Sequence, residues 1–164
     1  MASIAEVIGA VAIVVSLIYV GVQVKDSTRA VRSATANETS AALSTWYREI
    51  GTDPEAGRVF LDGMTNPELL SREELFRFIF LAHSVMLEFQ AAFYLAQEGT
   101  LDPELQASIT NTLLAVKDQP GMALYWEQRG NLFQPSFQTY FNALIASGDA
   151  DNPMERIYQP REAE

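Results

Sequence analysis

The hydrophobic pattern divides this chain at its first charged cluster. From Val7 to Val24 no side chain carries a charge, and Val, Ile, Leu and Ala fill nearly every position. At ~1.5 Å per residue these 18 residues span about 27 Å as a helix, close to a hydrocarbon layer of about 30 Å. A soluble amphipathic helix keeps a polar stripe, whereas this segment is apolar all round, as suits lipid or the centre of a much larger protein. A cleaved secretory signal needs a basic start and a small-residue cleavage site. Here Glu6 is the only charge before the run, and "VGVQVKDS" follows Tyr19. The reading is a retained transmembrane anchor over residues 1–24.

Two stripes run along it. Ile4, Ile8, Val11, Val15, Ile18 and Val22 are bulky and suited to lipid. Ala5, Gly9, Ala12, Ser16, Tyr19 and Gln23, continuing from Ala2, repeat at alternating spacings of three and four. Small residues allow close backbone approach in lipid, and hydroxyls or amides find partners there. The expectation is a helix–helix contact with a second copy or with another integral membrane protein. Lys25, Arg29 and Arg32 form a basic collar just after the span, which predicts the N-terminus outside and the remainder in the cytoplasm.

No Pro or Gly interrupts residues 22–50, so the helix is expected to continue as a stalk over 25–50. Its Ser/Thr/Ala-rich part, residues 26–42, is weakly patterned and needs a neighbour or frays. Leu43, Trp46, Tyr47 and Ile50 then recur at helical spacing and should dock on a domain. Beyond Gly51 the punctuation is regular. Asp53-Pro54 and Asp102-Pro103 open helices, Ser71 and Glu74 form a capping box, and Pro120 and Pro135 open two more. Gly63, Gly99, Gly130 and Gly148 are expected to close them. No stretch alternates with period two. The predicted class is all-α: a transmembrane helix continuing into a stalk, a bundle of about five helices over 51–148, and a polar tail over 149–164.

Residues 72–98 form the most apolar of these helices. A second span from Phe78 to Ala96 would place His83, Ser84, Glu88 and Gln90 in lipid, where one central acid costs roughly 3 kcal/mol. A central bundle helix is the better reading.

Composition narrows the functions. Residues 1–32 carry a formal +1, whereas residues 33–164 hold 8 basic and 19 acidic side chains, −11. Such a field repels nucleic acid. Cys is absent and His83 is the single histidine, which removes thiolate chemistry, cysteine-ligated metals and histidine-rich sites. No cofactor is expected, and position 80, three before His83, is Phe, so no Glu-x-x-His motif exists there. Phosphate-binding and nucleophile-elbow motifs are missing as well. Arg77, Ser84 and Glu88, seven and four apart, share one helical face. They fit either a buried acid with a cationic partner or, preferably, a polar seam against water. His83 reads as a core-edge histidine bonded to a backbone carbonyl. Tyr125, Trp126, Phe133, Phe137, Tyr140 and Phe141 read as core, with an aromatic-lined pocket as the alternative.

"EVIGAVAIVVSLIYVGVQVKDSTRAVR", "DPEAGRVFLDGM", "LSREELFRFIFLAHSVMLEFQAAFYLAQEGTLDPEL" and "PGMALYWEQRGNLFQPSFQTYF" resemble a widespread uncharacterised bacterial family. Its members share an N-terminal hydrophobic helix, a helical domain and a Trp-Glu…Phe-x-Pro-x-Phe ending, here Trp126–Glu127 and Phe133–Phe137. The resemblance implies a bacterial membrane-anchored protein and carries over no catalytic residue. The expected function is a non-enzymatic inner-membrane scaffold or accessory subunit. A helical module holding a lipid or small apolar molecule between the Glu88 helix and the aromatic final pair is the alternative.

Overall fold

The computed structural model describes residues 4–148; the tail over 149–164, Ala2 and the side chain of Ala5 lie outside that description. Six α-helices follow one another: α1 (Ile4–Thr52), α2 (Pro54–Thr65), α3 (Arg72–Gln97), α4 (Pro103–Val116), α5 (Pro120–Arg129) and α6 (Pro135–Ala146). Single 3-10 turns at Pro67–Leu69 and Gly130–Leu132 link neighbours, and no strand occurs among the described residues. The all-α expectation holds, with five helices after the first.

The caps are built from the residues that announce them. Asp53 accepts from the amides of Glu55 and Ala56 at 2.9 and 3.2 Å, and Asp102 from those of Glu104 and Leu105. These bonds satisfy backbone donors that no helical carbonyl reaches. The Ser71–Glu74 box is complete in both directions. Gly99, with φ +68°, lets the chain turn after α3. The α6 entry lacks a local side-chain cap. Instead Gln90 of α3 reaches across and accepts from the Gln134 amide at 2.7 Å.

Gly63 does not close its helix. α2 runs on to Thr65, and Gly63 is buried where a Cβ would enter the Phe78 ring. Gly121 touches the same place from α5, so close that a Cβ there would collide with the Gly63 carbonyl. These two glycines set how near α2, α3 and α5 approach.

α1 is one unbroken helix of 49 residues, about 73 Å long. It joins the bundle earlier than expected. Thr35 and Thr39 are buried, and Ala42, Leu43, Trp46 and Ile50 carry the contact onward, with the Trp46 indole donating to the Leu81 carbonyl at 3.1 Å. Arg32 Nε donates to the Gly99 carbonyl at 3.2 Å, so α1 and α3 run antiparallel. The neighbour that residues 26–42 require is present from Arg32 onward, and the free stalk shrinks to residues 25–31. Tyr47 remains half exposed beside this contact.

α3 is the central bundle helix, with Phe78, Ile79, Ala82, Val85, Met86, Phe89 and Ala92 buried. Around it Tyr125, Phe133, Phe137 and Phe141 close an aromatic core. Phe93 stacks on Tyr140 at 4.7 Å, Trp126 on Phe133 at 5.5 Å, and Trp126 meets Phe141 edge-on at 4.6 Å.

One surface cluster ties α2 to α3. Arg58 bridges Glu55, Asp62 and Glu74. The Arg58 guanidinium, followed by the Ser71 backbone amide, lowers the Glu74 pKa from 4.5 to about 2. A carboxyl whose folded pKa is depressed adds stability that is complete above its unfolded pKa and is lost as pH falls through the folded one. Thermal melts of the wild-type chain should therefore fall between about pH 5 and pH 2, and Glu74→Gln should flatten that limb while leaving a lower plateau above pH 5. Parallel acid limbs in the two chains would remove Glu74 from the acid response.

Candidate functional site

The feature that sets this chain apart is the first part of α1. Every residue from Val7 to Val31 is exposed. Val11 and Ile18 show 57% and 63% of their surface, whereas Phe78 and Phe137 in the bundle show none. An 18-residue window here has mean hydropathy 2.4 with no part buried, so the helix is long and apolar enough to cross a membrane. At about 25 cal/mol per Å², exposing this many branched side chains to water is costly, and none of the described residues covers them. α3 passes the same test of length and composition, but 39% of its window is buried inside the bundle.

The described residues of both α1 stripes are exposed. A Cβ added at Gly9 meets nothing within 4 Å, and Ala12 and Ser16 are open. Tyr19 and Gln23 bond to each other, Gln23 Nε2 donating to the Tyr19 hydroxyl at 3.1 Å. The polar end of the small-residue stripe is thus partly satisfied within its own helix. Of the basic collar, Lys25 and Arg29 are exposed, whereas Arg32 is tied to Gly99 of the bundle. That long-range bond lies outside what local spacing reveals.

Arg77, Ser84 and Glu88 share the predicted side of α3 but do not assemble into a site. Arg77 is exposed and pairs with Glu55 of α2 at 3.4 Å. Ser84 donates to the Leu81 carbonyl of its own helix at 2.8 Å, and Glu88 is half-buried and pairs with neither. They form a polar border along α3.

His83 departs from expectation. Its partner is a phenol, not a carbonyl: Nδ1 lies 2.7 Å from the hydroxyl of the fully buried Tyr125. Burial, then the Arg129 charge, lowers the imidazole pKa, and burial raises that of Tyr125. Both groups are therefore neutral at pH 7, and the contact is a hydrogen bond fixing α5 against α3. Nothing in the sequence ties two residues 42 apart.

Two small cavities lie among the described residues of the bundle. Between α3, α4 and α6, beside Phe89, Phe93, Leu113 and Tyr140, the cavity measures about 10 Å³. A second, lined by Trp46, Phe60, Met64 and Met122, measures about 30 Å³. One water needs about 10–15 Å³ by this measure, so neither of these two cavities holds a lipid or small apolar ligand as it stands. No cluster of three or more acidic or histidine side chains suited to a metal exists among the described residues.

No protein-family model matches this chain, and neither the curated proteins nor the solved structures include a similar one.

Proposed function

We propose that this chain is a non-enzymatic, single-pass protein of the bacterial inner membrane, a scaffold or accessory subunit assembled through α1. The observation that carries this reading is the exposed apolar helix, which stands clear of an otherwise well-packed bundle. Its occupants are membrane lipid on the bulky stripe and a second copy, or another integral membrane protein, on the stripe of Ala5, Gly9, Ala12, Ser16, Tyr19 and Gln23. The collar of Lys25, Arg29 and Arg32 favours an outside N-terminus and a cytoplasmic bundle.

Two features support assembly. At ~100° per residue the small stripe points to roughly the opposite side of α1 from Thr35, Thr39 and Trp46, so the bundle leaves it unobstructed. It also continues beyond the span through Ser27, Ala30, Ala34, Asn37, Ala41 and Thr45, all exposed.

The absence of Cys makes any introduced thiol a unique reporter. Oxidation of native membranes holding Ala12→Cys or Ser16→Cys should give disulfide-linked dimers several-fold more readily than Val11→Cys or Val15→Cys. Equal yields on both stripes would end the directional interface, and no dimer at any of the four would end self-association.

A further inference from the structure

α3 is apolar on its outer side as well as its inner one. Phe76 and Phe80, one turn apart, are 62% and 50% exposed, and Leu87 and Tyr94 continue the line. The two phenyl rings lie 4.5 Å apart and form a ridge. A groove of about 640 Å³ lies on its α2 side, floored by Val59 and Leu81 and bordered by Arg77. A second, of about 200 Å³, lies on its α5 side and is bordered by Arg72 and Arg129. Arg129 also sits over the Phe80 ring at 5.7 Å.

The charge around this ridge runs against the rest of the domain. Residues 33–148 hold 6 basic and 14 acidic side chains, yet these two grooves are bordered by three of the six arginines and lysines and by only two acids, Asp53 and Glu55. Asp53 and Glu55 line the α2-side groove, where Glu55 pairs with Arg58 and Arg77, so the net positive border is that of the α5-side groove, lined by Arg72 and Arg129 and by no acid. Among the described residues, Arg72 and Arg129 make no ion pair.

We propose that the Phe76–Phe80 ridge, with Arg72, Arg77 and Arg129 around it, is the docking surface for an acidic peptide segment of a partner protein. Large apolar side chains of that segment enter the grooves on either side, and its carboxylates meet the guanidinium groups of Arg72 and Arg129, while Arg77 stays paired with Glu55. Apolar anchors inside a rim of complementary charge are the usual division of labour at such interfaces. A second copy fits poorly. Chains anchored in one membrane share an orientation, so two α3 helices would meet in parallel and bring their arginines together; this exclusion and the height of the ridge above the bilayer rest on the membrane reading. The ridge lies near the level where Trp46 meets Leu81, about 33 Å along α1 from Val24, and so faces partners away from the bilayer.

The test places photo-reactive benzoylphenylalanine at Phe76 in the full-length chain, within the membranes of cells that make it. Leu61, exposed on α2 outside both grooves, is the control position. The expected result is an adduct at Phe76, absent at Leu61, whose cross-linked peptide belongs to another protein and carries more acids than bases around its apolar residues. The triple substitution Arg72→Ala, Arg77→Ala, Arg129→Ala should reduce the adduct roughly fivefold or more while circular dichroism still shows a folded bundle. Adducts that match the Leu61 control, that lie in a second copy or in residues 149–164, or that ignore the arginine changes overturn the proposal. If the triple variant unfolds, Arg72→Gln alone gives the same reading. None of these outcomes depends on which stripe of α1 forms dimers.

Discussion

Replacing Ile13 and Val14 together by arginine is expected to move the chain out of the membrane pellet. Both side chains are exposed near the middle of the uncharged run. A central arginine costs about 3 kcal/mol for insertion, so the pair costs about 6 kcal/mol, roughly a 10⁴-fold shift in partition. High-speed centrifugation of detergent-free lysates reads the outcome directly. Phe80→Arg supplies the contrast: it puts the same charge on an exposed position of the other apolar helix and should leave the distribution unchanged, because α3 belongs to the bundle. An unmodified wild-type chain already in the supernatant would refute the anchor, and release by Phe80→Arg would put α3 in lipid.

Gly121→Ala is expected to be the most damaging single substitution within the bundle. A Cβ there collides with the carbonyl of Gly63, backbone against backbone, so no rotamer change relieves it and α5 must move off α2. Overpacking of this kind costs about 3 kcal/mol or more, which lowers the melting temperature by roughly 10 °C. Gly63→Ala meets the Phe78 ring instead, a side chain that is itself fully buried, and should be nearly as harmful. Gly51→Ala, with open space around it, should be neutral or stabilising by at most about 1 kcal/mol. Equal melting temperatures for Gly51→Ala and Gly121→Ala would show that α2 and α5 do not cross at these glycines.

The helix starts were legible because each is written locally: Asp-Pro twice, the Ser71–Glu74 box and two further prolines are short-range chemistry that a single pass along the chain detects. The helix ends were read less well. Gly63 has the same local appearance as Gly99, but it serves a packing distance instead of a turn, and only the arrival of Phe78 and Gly121 reveals this. The apolar N-terminal run was legible through its length and lack of a polar stripe. The early docking of α1 was not, because Thr35 and Thr39 are too small and polar to announce burial. The candidate sites follow the same division. The stripes on α1 depend on helical period alone. The His83–Tyr125 bond, the Arg32–Gly99 bond and the exposed ridge of Phe76 and Phe80 depend on which side of an all-round apolar helix receives neighbours, a matter settled by the other five helices together.

The uninterrupted course of α1 has a mechanical consequence. The same helix that the lipid would grip is clamped into the bundle from Arg32 to Ile50, with no proline between to act as a joint. Rotation about its axis therefore swings the whole domain like a pointer on a shaft. A change of inclination of about 10° sweeps a level about 33 Å up that shaft sideways by roughly 6 Å. In the proposed membrane setting, bilayer thickness and any neighbouring span would set the bearing of the aromatic ridge without a flexible element between them.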